Sequence, residues 1–149
     1  MTREQATNAW NVFETIVAGR EPASFVYEDD VVVAFMDIRP VNRGHVLVIP
    51  RKVMRDLAEL DDDTAARLFV VARRIAAAIR RTDIRCEGIN LFLADGEAAG
   101  QEVFHVHLHV VPRYAGDGFG HRYGPDYGKP VARQDLDAVA AAIKAAIAA

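Results

Sequence analysis

A chain of 149 residues, 51% hydrophobic and 26% charged, has the make-up of one ordinary globular domain with a core to bury. Its net charge of −3, with 18 basic and 21 acidic residues interspersed, gives no electrostatic footprint for nucleic acid or a membrane surface. No apolar run could span a bilayer, no signal-peptide core is visible, and the lone Cys86 can form no internal disulfide, so a reducing cytosol is the expected compartment.

In chain order, Thr7 to Ala18 reads as a short helix with Trp10, Phe13, Ile16 and Val17 on one face and Gly19 as its C-terminal cap. Ser24 to Glu28 and Val31 to Met36 read as strands joined at Asp29-Asp30. Residues 39–44 form a turn-rich link, and His45 to Ile49 a further strand closed by Pro50. The longest helix is expected from about Asp62 to Arg81, with Asp61, Asp62 and Asp63 at its electropositive end and Arg80 and Arg81 at the other. Leu68, Val71, Ile75 and Ile79 make its core stripe, while Arg73 and Arg74 suit a solvated face. Ile89 to Ala94 is a fourth strand. Between Arg113 and Pro130, five glycines, two prolines and four aromatics form a long loop without periodicity, containing His121, a residue expected to be exposed. Residues 119–130 are its flexible part. Asp135 to Ala149 reads as an amphipathic helix with Leu136, Val139, Ile143 and Ile147 turned inward, onto its own sheet or a partner subunit.

The run Phe104 to Pro112 stands apart, because polar and apolar residues alternate strictly along it. A strand here puts His105, His107 and His109 on one face, about 6–7 Å apart, with Phe104, Val106, Leu108 and Val110 facing a core. Pro112 should end it, having no N–H for a ladder. Three imidazoles in a row suit a histidine-rich polar face, a zinc site or nucleophilic catalysis. Spacing alone does not separate the last two. The upstream loop, Asp95-Gly96-Glu97-Ala98-Ala99-Gly100-Gln101-Glu102, is small and could cradle an anion through its N–H groups, which suggests a covalent phospho- or nucleotidyl-histidine.

His105-Val106-His107-Leu108-His109-Val110-Val111 resembles the signature of the histidine-triad (HIT) family of nucleotide hydrolases and transferases. The likeness extends through Phe13 to Gly19, Tyr27 to Asp30, Ala34 to Pro40 and Gly44 to Pro50. Antiparallel strands with helices set aside make one α+β domain over 1–149. The resemblance, which leaves out the first few residues and the segment after about Gly118, implies a five-stranded antiparallel sheet paired across a homodimer into ten strands. It also implies that His107 is the nucleophile toward an α-phosphorus and that His109 contacts the phosphate or leaving group. His105 and His45 would fix tautomer and ring orientation. On its own, His45 reads equally well as a polar residue at a strand start. Asp37 matches the ribose contact, and Val12, Phe13, Ile16 and Ile38 the base slot, although core packing is an equal reading for Val12 and Ile16. Gly100, Gln101, Glu102 and Val103 align with a phosphate-contacting run.

Ala94 departs from the pattern: it replaces an Asn or Gln whose amide helps at the phosphate. A missing donor there could cost a few kcal/mol of barrier. No cofactor and no metal are expected. Asn11, Glu14 and Val53 occupy places where some bacterial relatives carry zinc-binding cysteines and a histidine. The N-terminal half resembles the Hint branch and Val111 to Asp117 the Fhit branch. The expected substrate is an adenine or purine nucleotide conjugate: a phosphoramidate, an acyl-adenylate or a dinucleoside polyphosphate. A phosphorylase, or a catalytically weak nucleotide-binding or regulatory protein, is the alternative.

Overall fold

The computed structural model describes residues 11–149, so the first turn of the expected N-terminal helix and Trp10 lie outside the described residues. Two compact units divide the chain, one ending at Gly118 and the other running from Phe119 to Ala149.

In the first unit, α1 (Val12–Val17) is short and depends on its start. The Asn11 side chain accepts from Glu14 N–H at 2.9 Å, and Glu14 Oε2 accepts from Asn11 N–H at 2.7 Å, a reciprocal capping box. The strands β1 (Phe25–Glu28), β2 (Val32–Met36), β3 (Val46–Pro50), β4 (Gly88–Phe92) and β5 (Leu108–Arg113) form one antiparallel sheet in the order β1-β2-β3-β5-β4. Between β3 and β4 runs α2 (Asp62–Ile79), capped by the Asp61 side chain on Thr64 N–H.

Both faces of the central strands β2 and β3 are covered. Val32, Ala34, Val46, Val48 and Val110 pack against Leu68, Val71, Ala72, Ile75 and Ile79 of α2. On the opposite face, Val33, Phe35, Leu47 and Ile49 meet Phe13 and Ile16 of α1. Burial on two sides explains why β2 and β3 read as unbroken apolar runs instead of alternating ones.

The histidine strand is shorter than expected, and it starts at Leu108 instead of Phe104. Before Leu108 the ladder to β3 gives way to bonds with the last residue of β3 and the segment after it. His105 Nε2 donates to the Pro50 carbonyl at 2.8 Å, and Val106 N–H donates to Met54 O at 2.7 Å. Phe104 is only half-buried and joins neither core cluster, while Val106 and Val110 are buried as expected. Nor does Pro112 end the strand, which continues through it to Arg113. The Pro112 carbonyl accepts from Asn42, on the side beyond the first residue of β3, so its nitrogen also faces a place where no ladder partner stands.

In the second unit, Tyr123 and Tyr127 stack with ring centroids 3.7 Å apart, and His121 is exposed. The helix α3 (Arg133–Ala148) contains no buried residue. Leu136, Val139, Ile143 and Ile147 are exposed, Ile147 by 80%. Residues 119–132 contain no helix or strand against which that row could pack.

Candidate active site

His109 lies on β5 opposite Leu47 of β3 and Phe92 of β4, so its side chain shares the α1 face of the sheet. The Phe92 ring stacks on it, 4.1 Å between centroids and 16° from parallel. His45 immediately precedes β3 and is placed by its own backbone: its N–H donates to Asn42 O at 3.1 Å, and its carbonyl accepts from Asp37 N–H at 3.0 Å. The two rings meet, His45 Nε2 lying 2.9 Å from His109 Nδ1.

Their hydrogen-bond partners fix the tautomers of the neutral rings. Val41 N–H donates to His45 Nδ1 at 3.0 Å, so the His45 proton sits on Nε2 and is donated to His109 Nδ1. The His109 proton is thereby assigned to its Nε2. His107 Nδ1 lies 2.7 Å from the His105 carbonyl oxygen, an acceptor, so Nδ1 carries the proton and Nε2 keeps a lone pair. His105 donates from Nε2 to Pro50 O, and its Nδ1 lies 3.5 Å from the Asn11 amide nitrogen. Phe13 sets its ring against both His105 and His107, with centroids at 6.0 and 5.1 Å.

His105 is fully buried and His107 only 7% exposed. Burial lowers all four pKa values, since it disfavours the charged imidazolium. His109 falls furthest, to about 3, because a charged His107 or His45 would also repel it. For His107 the His105 carbonyl and the Asp37 and Glu102 carboxylates oppose the burial effect without reversing it. At neutral pH the cluster is four neutral rings with an ordered set of protons. Such a cluster can offer one nucleophilic nitrogen and one N–H donor side by side.

The sequence model of the HIT domain matches residues 18–116, about two thirds of the chain. The chain belongs to the HIT family. A HIT-like protein of Borreliella burgdorferi is 44% identical over 114 residues, 76% of this chain and 82% of that protein. The crystal structure of a HIT family protein from Bacillus anthracis superposes with a TM-score of 0.84 at 38% identity, covering 91% of this chain and 96% of that one. A zinc-bound histidine triad family protein from Mycobacterium smegmatis gives 0.71 at 39% identity, covering 95% and 99%.

Around the HIT triad the other expected site residues divide. Asp37 stands beside it, Oδ2 at 3.6 Å from His45 Nε2 and Oδ1 accepting from Arg39 N–H at 2.8 Å. Ile38 is 88% exposed and Val12 is also exposed, whereas Phe13 and Ile16 are buried in the α1 cluster. Ala94 is half-buried and offers no side-chain donor.

The small loop is less open to an anion than its composition suggests. Gly96 N–H donates to Gln101 Oε1, Ala99 and Gln101 N–H to Gly96 O, and Gly100 N–H to Glu97 O. The Gln101 amide is spent as well, donating to Arg55 O and Val103 O. Gly100 and Gln101 therefore shape the loop with the very N–H groups expected to contact phosphate. At its far end Glu102 is exposed, and the Val103 carbonyl also accepts from His105 N–H at 2.9 Å.

Among the described residues, Asp37, His45 and His109 bring a donor atom each within 4.8 Å of one another. Two ligands on a tetrahedral zinc stand about 3.3 Å apart with lone pairs converging on the ion. His45 and His109 instead face each other at 2.9 Å across one shared proton, which is a hydrogen-bonded pair. Asn11 and Glu14, at the places that resemble cysteine ligands elsewhere, satisfy each other in the capping box.

Sequence reasoning missed Phe92, whose stacking on His109 needs the β4–β5 register, and the Val41 N–H that sets the His45 tautomer. The turn-rich composition of 39–44 was the available signal for the latter.

Proposed function

We propose that this HIT protein transfers the nucleotidyl group of a purine nucleotide conjugate to His107 and then to water. The observation that carries the reading is the His107 ring: Nδ1–H held on the His105 carbonyl, a lone pair on Nε2, and a pKa lowered by burial. That nitrogen attacks the α-phosphorus in line, the bond to the leaving group breaks, and its electron pair departs with that group. The imidazole becomes cationic as it is phosphorylated, and the His105 carbonyl stabilises it through Nδ1–H. His109 offers Nε2–H to the departing atom, an arrangement that suits groups leaving as anions, such as carboxylate or phosphate. Water then attacks the same phosphorus and gives up a proton to solvent, the P–Nε2 bond breaks with its electron pair returning to His107, and the nucleoside monophosphate leaves.

For binding, the Asp37 carboxylate can accept from ribose hydroxyls, having further lone pairs beside the one used by Arg39. Exposed Val12 and Ile38 offer apolar surface for a base, and Glu102 and Val103 the loop end for phosphate. One observation favours a second reading, a weakly catalytic nucleotide-binding protein: Ala94 supplies no donor at the phosphate.

Turnover of an acyl-adenylate, an adenosine phosphoramidate and a diadenosine polyphosphate, followed by product analysis, separates the two. The hydrolase reading expects adenosine monophosphate from at least one. It also expects His107→Asn to bind that product while losing on the order of a thousandfold in turnover. Binding without turnover of any of the three would favour the second reading.

A further inference from the structure

Three side chains outside the histidine cluster are locked together beneath the turn that carries His45. Asp117 is nearly buried, its side chain 3% exposed, and surrounded by donors. Arg113 grips it with two nitrogens, Nε to Oδ2 at 2.6 Å and Nη2 to Oδ1 at 2.9 Å, and anchors itself on β4 through Nη1 to Asn90 Oδ1 at 2.6 Å. Asp117 Oδ2 also accepts from the Asn42 amide at 2.8 Å. That same amide donates to Pro112 O at 2.9 Å, so Asn42 is pinned to two points of the segment around the end of β5.

Asn42 in turn holds His45. Its carbonyl accepts the His45 N–H, and the neighbouring Val41 N–H is aimed at His45 Nδ1. The turn has little freedom to relax otherwise. Gly44 has φ +96°, and a Cβ there would lie 3.0 Å from Ile84 and 3.1 Å from Pro112. An exposed ion pair contributes little to stability. A nearly buried, multiply bonded one placed two links from a reacting ring has a geometric consequence.

We infer that Asp117 and Asn42 are positioning residues that fix the tautomer of His45 and, through it, the proton on His109 Nε2. Arg113 orients Asp117, Asp117 orients the Asn42 amide, and Asn42 fixes the turn so that Val41 N–H meets His45 Nδ1. With Nδ1 occupied by a donor, the His45 proton must sit on Nε2 and point at His109 Nδ1. His109 is then left with its own N–H directed away from His45. Released, His45 can carry the proton on either nitrogen, and with it on Nδ1 the 2.9 Å hydrogen bond reverses, His109 donating from Nδ1 and keeping no proton on Nε2.

The inference rests on His109 as the group that handles the leaving atom, but its spectroscopic test needs no substrate. Long-range 1H–15N correlation of the histidine rings at pH 7 should show His45 and His109 of the wild-type protein protonated on Nε2. In Asn42→Ala and Asp117→Ala, His45 should become a mixture of tautomers. With an active substrate, kcat should fall on the order of tenfold and KM should hold within about twofold. Asp117→Asn keeps an oxygen that can accept from Asn42 and should restore the wild-type ring signals. A wild-type His45 protonated on Nδ1 overturns the inference without any variant. So does a folded Asp117→Ala whose thermal midpoint drops while its ring signals stay those of the wild type, since that is the behaviour of a purely structural link. If Asn42→Ala fails to fold, the wild-type spectrum and Asp117→Ala decide. A protein that turns over no nucleotide leaves these ring assignments standing, so the two readings fail separately.

Discussion

Each of the four clustered imidazoles has a nitrogen committed to a neighbour, and three of those neighbours are main-chain groups: Val41 N–H, His105 O and Pro50 O. The rings stay neutral because burial makes the imidazolium costly. This has a consequence for stability. The unfolded chain protonates these histidines near their ordinary pKa of 6.5, whereas the folded protein resists protonation. Between those limits the unfolded state binds more protons, so stability is fully present above pH 6.5 and is lost as the pH falls toward the folded values, about 3 for His109. The thermal midpoint should decline steadily on acidification below about pH 6.5, and His109→Gln should flatten that decline. An unchanged slope in the variant would contradict the assignment. The residue types of this site were legible from the alternation of His105, His107 and His109. Their tautomers were not, since they depend on carbonyls and N–H groups that only the folded backbone brings near.

At the scale of elements, α1 is the marginal piece, six residues whose start is held by the Asn11–Glu14 capping box. It nevertheless carries Phe13, the ring lying against His105 and His107. Asn11→Ala should cost about 1 kcal/mol in chemical denaturation, a typical loss for an N-cap. An unchanged denaturation midpoint would mean that Phe13 and Ile16 hold the helix without its cap. The elements that sequence predicted best, β2, β3 and α2, are those whose pattern follows from burial alone: two-sided for the strands, one-sided for the helix. The start of β5 lies later than the alternation indicates because Val106 N–H bonds to Met54 and the His105 ring to Pro50, at and just past the end of β3, and alternation carries no trace of those partners. Continuity through Pro112 was missed for a related reason: a proline interrupts a strand only where a partner awaits its N–H, and strand order is not written in one sequence.

For the whole molecule, the row Leu136, Val139, Ile143 and Ile147 on α3 is exposed in the single chain, and a partner subunit is one of the two surfaces its pattern calls for. An amphipathic pattern specifies that a face should be covered and is silent on what covers it. The family resemblance supplies an expectation, a homodimer, and an obligate interface of that kind should be large and apolar. Light scattering at micromolar concentration should give twice the 16.4 kDa chain mass. A monomer mass would contradict it. The function proposed for the molecule rests in the end on one bond, between an α-phosphorus and His107 Nε2. Rapid quench of the wild-type protein with a substrate labelled at the α-phosphate, followed by peptide mapping, tests it most directly. The account predicts acid-labile label on the peptide containing His107, appearing before product and absent from His107→Asn. Product formed at full rate with no label on His107 at any time point would contradict it.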